Sequence, residues 1–190
     1  MKTIQFFAAA VLTAITFSAC SSDDDGPELI NEEEVITTMT VTLTPTGTST
    51  GVVTLTSRDE DGDGPNAPEI TVSGPLAVNT TYDGAVIFLN ETETPEENIT
   101  LEVEEEGEEH QVFYQFANAL GLQFSYTDED NSGNPIGLEF TLTTTDAAQG
   151  NFTVTLRHEP DKAATGVAAG DITNAGGETD FTATFSVTVE

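Results

Sequence analysis

Thr38-Met39-Thr40-Val41-Thr42-Leu43-Thr44 alternates with a period of two. Met39, Val41 and Leu43, with Val35 ahead of them, fall on one face, and the threonines fall on the other. Thr is β-branched and suits the solvated face of a sheet, so this pattern predicts a half-buried strand. The same alternation recurs in Val53-Thr54-Leu55-Thr56 and Ile70-Thr71-Val72-Ser73. It returns at Leu120, Leu122, Phe124 and Tyr126, at Leu138, Phe140 and Leu142, and at Phe152, Val154 and Leu156. The chain closes with Phe181, Ala183, Phe185, Val187 and Val189 in the same rhythm. Ala85 to Leu89 is apolar on both faces and reads as a central strand; Val112 to Phe116 is similar and aromatic. The sum is about nine strands separated by Gly, Asp, Asn and Pro turns, which predicts a mainly β fold, an antiparallel β-sandwich. The architecture expected is immunoglobulin-like without the disulfide, since the chain holds 1 Cys and 0 Trp.

One segment breaks the alternation. Thr94-Pro95-Glu96-Glu97 has the form of a helix start, with Thr94 as cap, Pro95 at the first helical position and Glu97 completing a capping box. Ile99 and Val103 then lie four apart, so one short acidic helix is expected near residues 95–108. Glu104, Glu105, Glu106, Glu108 and Glu109 crowd its C-terminal end, where the helix dipole disfavours negative charge. That end is either solvated or attended by a cation.

The N-terminal residues carry a different message. Lys2 precedes an uncharged apolar run from Ile4 to Phe17, and Ser18-Ala19 are small. This is the layout of a secretory signal peptide over residues 1–19, too short and wrongly flanked for a membrane span. Small residues directly before Cys20 resemble a bacterial lipobox, which implies lipidation of Cys20 and anchoring to a membrane. Asp23-Asp24-Asp25 is similar to the export tag that sends Bacteroidota lipoproteins to the cell surface. The location implied is the outer membrane, lipid-anchored, on the cell surface, with the periplasmic face as the alternative. Residues 20–34 read as an acidic flexible tether and residues 35–190 as a single sandwich domain.

Charge narrows the partners. The whole chain has 4 Lys and Arg against 34 Asp and Glu, a net charge of −30; without Lys2 the balance is 3 − 34 = −31. Nucleic acid and anionic lipid head groups are poor partners on this balance, and no nucleic-acid partner is expected. Such a charge opposes self-association, so a monomer is expected. If Cys20 is lipidated, thiolate and disulfide chemistry are excluded as well.

Five segments carry a wider resemblance. They are Arg58 to Pro68 (RDEDGDGPNAP), Asn90 to Pro95 (NETETP), Glu109 to Tyr114 (EHQVFY), Leu156 to Pro160 (LRHEP) and Gly176 to Asp180 (GGETD). With them the chain resembles a family of small flavobacterial (Bacteroidota) surface lipoproteins. Members are often labelled as a type 1 periplasmic binding fold, a long architecture of two α/β lobes. The Thr-rich strands here imply a sandwich instead. The resemblance implies a location and a shared fold, and none of its segments is a catalytic motif.

Three constellations can hold a cation. Asp59-x-Asp61-x-Asp63-Gly64 presents acids at alternate positions before a glycine, a Ca²⁺-loop pattern. Loop position twelve is Ile70 rather than Glu, with Glu69 one residue short. The alternative is an acidic turn. Asp128-x-Asp130-x-Ser132-Gly133 with Glu139 satisfies the EF-hand string, but strands flank it where helices are needed, so a hairpin turn is the preferred reading. The third is the histidine pair, His110 with Glu106 and His158 with Glu159, a set suited to Zn²⁺ or Cu²⁺. If the two rings share an ion they must lie within about 5 Å of each other; the alternative is two unrelated surface histidines.

No Gly-x-Ser-x-Gly, phosphate loop or dinucleotide fingerprint appears. The expectation is therefore a non-catalytic binding module, cation-binding and accessory to an outer-membrane uptake receptor. The competing expectation is a structural or adhesive surface lipoprotein with no specific ligand.

Overall fold

Threonine alternation builds the larger of two antiparallel sheets. In the computed structural model, which describes residues 34–48, 51–62 and 64–190, β1 (Thr38–Pro45) pairs with β2 (Val53–Arg58) and with β4 (Thr81–Leu89). β3 (Glu69–Val72), β6 (Gln123–Tyr126) and β7 (Glu139–Thr143) complete the order β3-β2-β1-β4-β7-β6. Thr40 and Thr56 bond across this sheet through their hydroxyls, as do Thr81 and Thr143. The smaller sheet has the order β5-β8-β9, from His110–Phe116, Ala148–His158 and Glu178–Val189. Met39, Val41, Leu43, Phe88, Phe140 and Leu142 from the first sheet enter one core with Val112, Phe152, Val154, Leu156 and Phe185 from the second. This is the β-sandwich that the period of two predicts, and both sheets are antiparallel rather than doubly wound. The described residues lie in one compact unit, Glu33–Glu190, and none of their helices is long and apolar enough to cross a membrane. The stretches expected to be a signal peptide and a tether, up to residue 33, with Cys20 as the expected lipidation site, and Asp63 lie outside the described residues.

Several local expectations are corrected. The helix α1 spans Ile99–Glu105, and its cap is Asn98, whose side chain accepts from Thr100 N–H. Thr94 cannot open a capping box there, because Glu97 N–H and C=O are both bonded to Asn90 in an antiparallel bridge. The helical face itself is as expected, with Ile99 and Val103 buried and Leu101 exposed. Asn118–Leu120 forms a single 3-10 turn ended by left-handed Gly121, so the strand expected from Leu120 begins only at Gln123. β4 is central in its sheet, yet its second face is open, with Ile87 exposed. β5 is covered on both faces: Phe113 points away from the main core and packs with Val167 and Ala175 from the 160–177 excursion.

Candidate metal centre

Strand pairing alone brings the histidines together. β5 and β8 run antiparallel with His110 opposite His158, and their ring centroids are 4.6 Å apart. Both side chains are buried, His110 fully. His110 has one ring nitrogen on a backbone carbonyl, while both nitrogens of His158 face carboxylates from beyond hydrogen-bond distance. His110 Nδ1 lies 3.2 Å from the Glu106 carbonyl oxygen, which leaves Nε2 facing Glu34 at 3.1 Å and Asp180 at 4.0 Å. His158 Nδ1 faces Asp180 at 3.9 Å, and its Nε2 faces Glu109 at 3.9 Å. A carbonyl or carboxylate on the outer nitrogen is the usual support for a metal-ligating imidazole, because it fixes the tautomer and turns the other nitrogen to the ion.

Asp180 reaches this point through a β-bulge. The register of β8 and β9 steps from Leu156↔Phe181 to Arg157↔Thr179, so Asp180 is the additional residue. A bulge re-aims a side chain, and here it turns a carboxylate inward that strict alternation would have left outside. Arg157 holds the turn before it: Nε donates to Gly176 O at 3.0 Å and Nη2 to Gly177 O at 2.8 Å. Gly177 has φ +64, and an added Cβ would lie 2.1 Å from His158 O, so only glycine fits that turn against the end of β8.

One ligand atom each from His110, His158 and Asp180 can be chosen within 4.8 Å of one another. Glu34, Glu106 and His110 form a second such group, and Glu109, His158 and Glu159 a third. The first is buried, with side-chain exposures of 0%, 6% and 3%. Burial draws the His110 pKa down, but Glu34 beside Nε2, the Glu106 carbonyl and the Asp180 charge outweigh it, and the net shift is upward. Burial and the charges of Glu34, Glu106 and Glu97 likewise raise Glu102, against a smaller downward pull from His110. The region is therefore one of concentrated negative charge. None of the basic side chains of the described residues relieves it: Arg58 binds Glu91 and Glu60, Arg157 the turn carbonyls, and Lys162 binds Asp130.

The predicted Zn²⁺ or Cu²⁺ residues are thus gathered at one place, with Glu106 contributing its carbonyl and Glu159 standing on the exposed side. Asp180 and Glu34 were not singled out in the sequence. The one hint for Asp180 is an acid at the head of an otherwise apolar alternation.

The two calcium patterns meet other fates. In the first loop, Asp61 Oδ2 accepts from Asn66 Nδ2 at 2.7 Å, and Asp59 Oδ1 accepts from Asp61 N–H at 3.3 Å. Glu69 sits on β3 opposite Arg58, away from the loop's own turn. In the second, Asp128 accepts from the N–H groups of Gly137, Leu138 and Glu139 at 2.8, 2.6 and 3.0 Å. Asp130 accepts from Ser132 and Asn134 N–H, both at 2.9 Å, and from Lys162 Nζ at 2.9 Å. Lys162 also donates to the carbonyls of Pro135 and Gly107. Its ammonium supplies the positive charge beside Asp130. Ser132 Oγ bonds Glu108, and Glu139 is exposed on β7. The loop is a turn closed by protein donors.

A comparison with family models, with curated proteins and with solved structures finds no match for this chain.

Proposed function

We propose that the protein is a non-catalytic binding module that captures a divalent transition-metal ion at His110, His158 and Asp180. One observation carries this reading: two buried imidazoles 4.6 Å apart turn their inner nitrogens toward a buried carboxylate. Nitrogen and carboxylate donors together suit Zn²⁺ or Cu²⁺, whereas Ca²⁺ takes oxygen ligands only. Four of the five segments that resemble the flavobacterial lipoproteins also converge here: Glu109–Tyr114, Leu156–Pro160 and Gly176–Asp180 supply the donors, and Asp59, Gly62 and Pro68 line the adjoining cavity. On the sequence reading the module is anchored through Cys20 on the cell surface and passes its ion to an outer-membrane uptake receptor.

Protein freed of metal with a chelator and titrated by calorimetry should take up one Zn²⁺ or Cu²⁺ per chain. Ca²⁺ at equal concentration should neither bind stoichiometrically nor compete. His110→Ala with His158→Ala should abolish the uptake. Wild-type protein that takes up no ion, or a double variant that binds as before, would refute the capture reading. Location is tested separately: Cys20→Ser should free the protein from membranes, and a variant that still sediments with them rules out the lipid anchor.

A further inference from the structure

Three of the donors belong to the three-stranded sheet, but Glu34 does not. It lies four positions before β1, in the stretch that leads into the other sheet. Its side chain is only 6% exposed, although the next residue, Val35, is 52% exposed. Glu34 is thus turned inward at a point where the chain itself is at the surface. What it meets there is His110. Oε1 lies 3.1 Å from His110 Nε2, a distance that fits an ion pair without the alignment of a hydrogen bond. Neither Glu34 Oε2 nor His110 Nε2 has a hydrogen-bond partner, and both atoms are inaccessible to solvent. While the ring is neutral, the buried carboxylate and the imidazole nitrogen face each other without a donor between them, which is unfavourable; a proton on Nε2 relieves this only in the charged form. A cation between them removes the penalty, because both atoms are then ligands.

Glu34 also borders a cavity of about 350 Å³, lined in addition by Ile36, Ser57, Asp59, Asp180 and Thr182. The cavity connects the buried donors with the acidic loop and is of one sign of charge. A hydrated cation is drawn into such a cleft and an anion is repelled.

We propose that Glu34 is the fourth ligand of the captured ion and the one that opens and closes the site. The inference rests on the capture reading above. Two imidazoles and two carboxylates make a four-coordinate N₂O₂ set, the number that a closed Zn²⁺ site uses. Charge balances too: the carboxylates of Glu34 and Asp180 carry two negative charges against two positive on the ion, with both imidazoles neutral. His110, His158 and Asp180 are held by paired strands and a clamped bulge, so they are the fixed part. Glu34 lies outside the paired strands, ahead of Thr37, whose N–H is bonded to Leu89 O, so it is the part that can leave. Loading ties the lead-in onto the three-stranded sheet; in the structure Glu34 stands against His110, and closing on the ion brings it to His158 and Asp180. Unloading removes the charge that holds Glu34 against the other donors, and Glu34 moves off toward the cavity, which is then the way out for the ion.

The test uses the full chain and Glu34→Gln. Zn²⁺ affinity is read by competition with a chromophoric chelator, and hydrogen exchange of the amides from residue 34 to residue 36 is followed with and without Zn²⁺. Wild type should bind one Zn²⁺ and exchange these amides more slowly when loaded. The variant should still bind one Zn²⁺, at least about 10- to 100-fold more weakly, since loss even of a group that only supports a ligand costs that much. Its loss should fall on the dissociation rate, and its lead-in amides should exchange alike with and without the ion. Equal affinity in the variant, or wild-type amides indifferent to Zn²⁺, would overturn the role of Glu34 while leaving the capture site intact. Wild-type protein that binds no Zn²⁺ would instead remove the capture reading and this inference with it.

Discussion

Lys162→Met should destabilise the protein by about 3–5 kcal/mol at neutral pH, the range seen when one partner of a buried ion pair is removed. Methionine preserves most of the stem's volume, so the loss is that of the ammonium. Asp130 is 1% exposed at its side chain and would keep only the Ser132 and Asn134 N–H donors. The carbonyls of Pro135 and Gly107 would lose their shared donor as well. Burial pushes the Asp130 pKa up, but Lys162 and the Asn134 and Ser132 amides outweigh it, and the folded value lies below the ordinary one. A depressed carboxylate pKa contributes stability above its unfolded value, about 3.9, and loses it as pH falls through the folded value. The gap between wild type and variant should accordingly be full at pH 7 and narrow below about pH 4. Urea unfolding at both pH values measures it. Asp130→Asn in the Lys162→Met background should recover part of the loss, because the uncompensated charge is then gone. A change under about 1 kcal/mol would class the pair with exposed salt bridges and contradict its burial.

Lys162 also shows what the sequence leaves unread. As letters, Asp128-x-Asp130-x-Ser132-Gly133 with Glu139 is a calcium string, and Lys162 is merely one of the few basic residues. Only the tertiary fold carries Lys162 onto Asp130, 32 positions away. The strands were legible because alternation is a local signal with a physical cause: one face is buried and the other is wet. Met39, Val41 and Leu43 are wholly buried, as their spacing requires. The helix start is not legible locally, because Thr94-Pro95-Glu96-Glu97 satisfies a local rule that the Asn90–Glu97 bridge overrides. At the candidate metal centre, residue types are legible and proximity is not. The pairing of His110 with His158 depends on the β5–β8 register, and Asp180 depends on a bulge that shifts the pattern by one. Glu34 fell in a stretch whose composition reads as tether, yet its side chain is buried against His110.

The metal-free protein should lose stability as pH rises just above 6.5, and the metal-loaded protein should gain it. The cause is His110. Glu34 from the lead-in, the carbonyl of Glu106 at the helix end, Asp180 from β9, and more distantly Glu102 on α1 all favour its charged form against burial; His158 packs on its ring from β8. A raised folded pKa stabilises fully below the unfolded value, about 6.5, and that contribution disappears as pH climbs through the folded value. Above that range the buried carboxylates face a neutral ring. Free surface carboxylates do not contribute, since they are already ionised across this window. Metal binding runs in the opposite sense, because the ion needs neutral imidazole and competes with the proton. An ion at about 1,000 times its Kd adds about 4 kcal/mol, which for a domain of this size is a rise in Tm of roughly 8–16 °C. Thermal melts between pH 5.5 and 8.5, with chelator and with Zn²⁺, separate the two effects. The Zn²⁺-dependent rise should be near its full size at pH 8 and vanish near pH 5.5. His110→Gln should flatten both slopes. A Tm of the metal-free protein that stays level from pH 6 to 8.5 would mean that His110 carries no charge in the fold. A Zn²⁺ effect of equal size at pH 5.5 and pH 8 would mean that carboxylates alone hold the ion, and the imidazoles would have to be withdrawn as ligands.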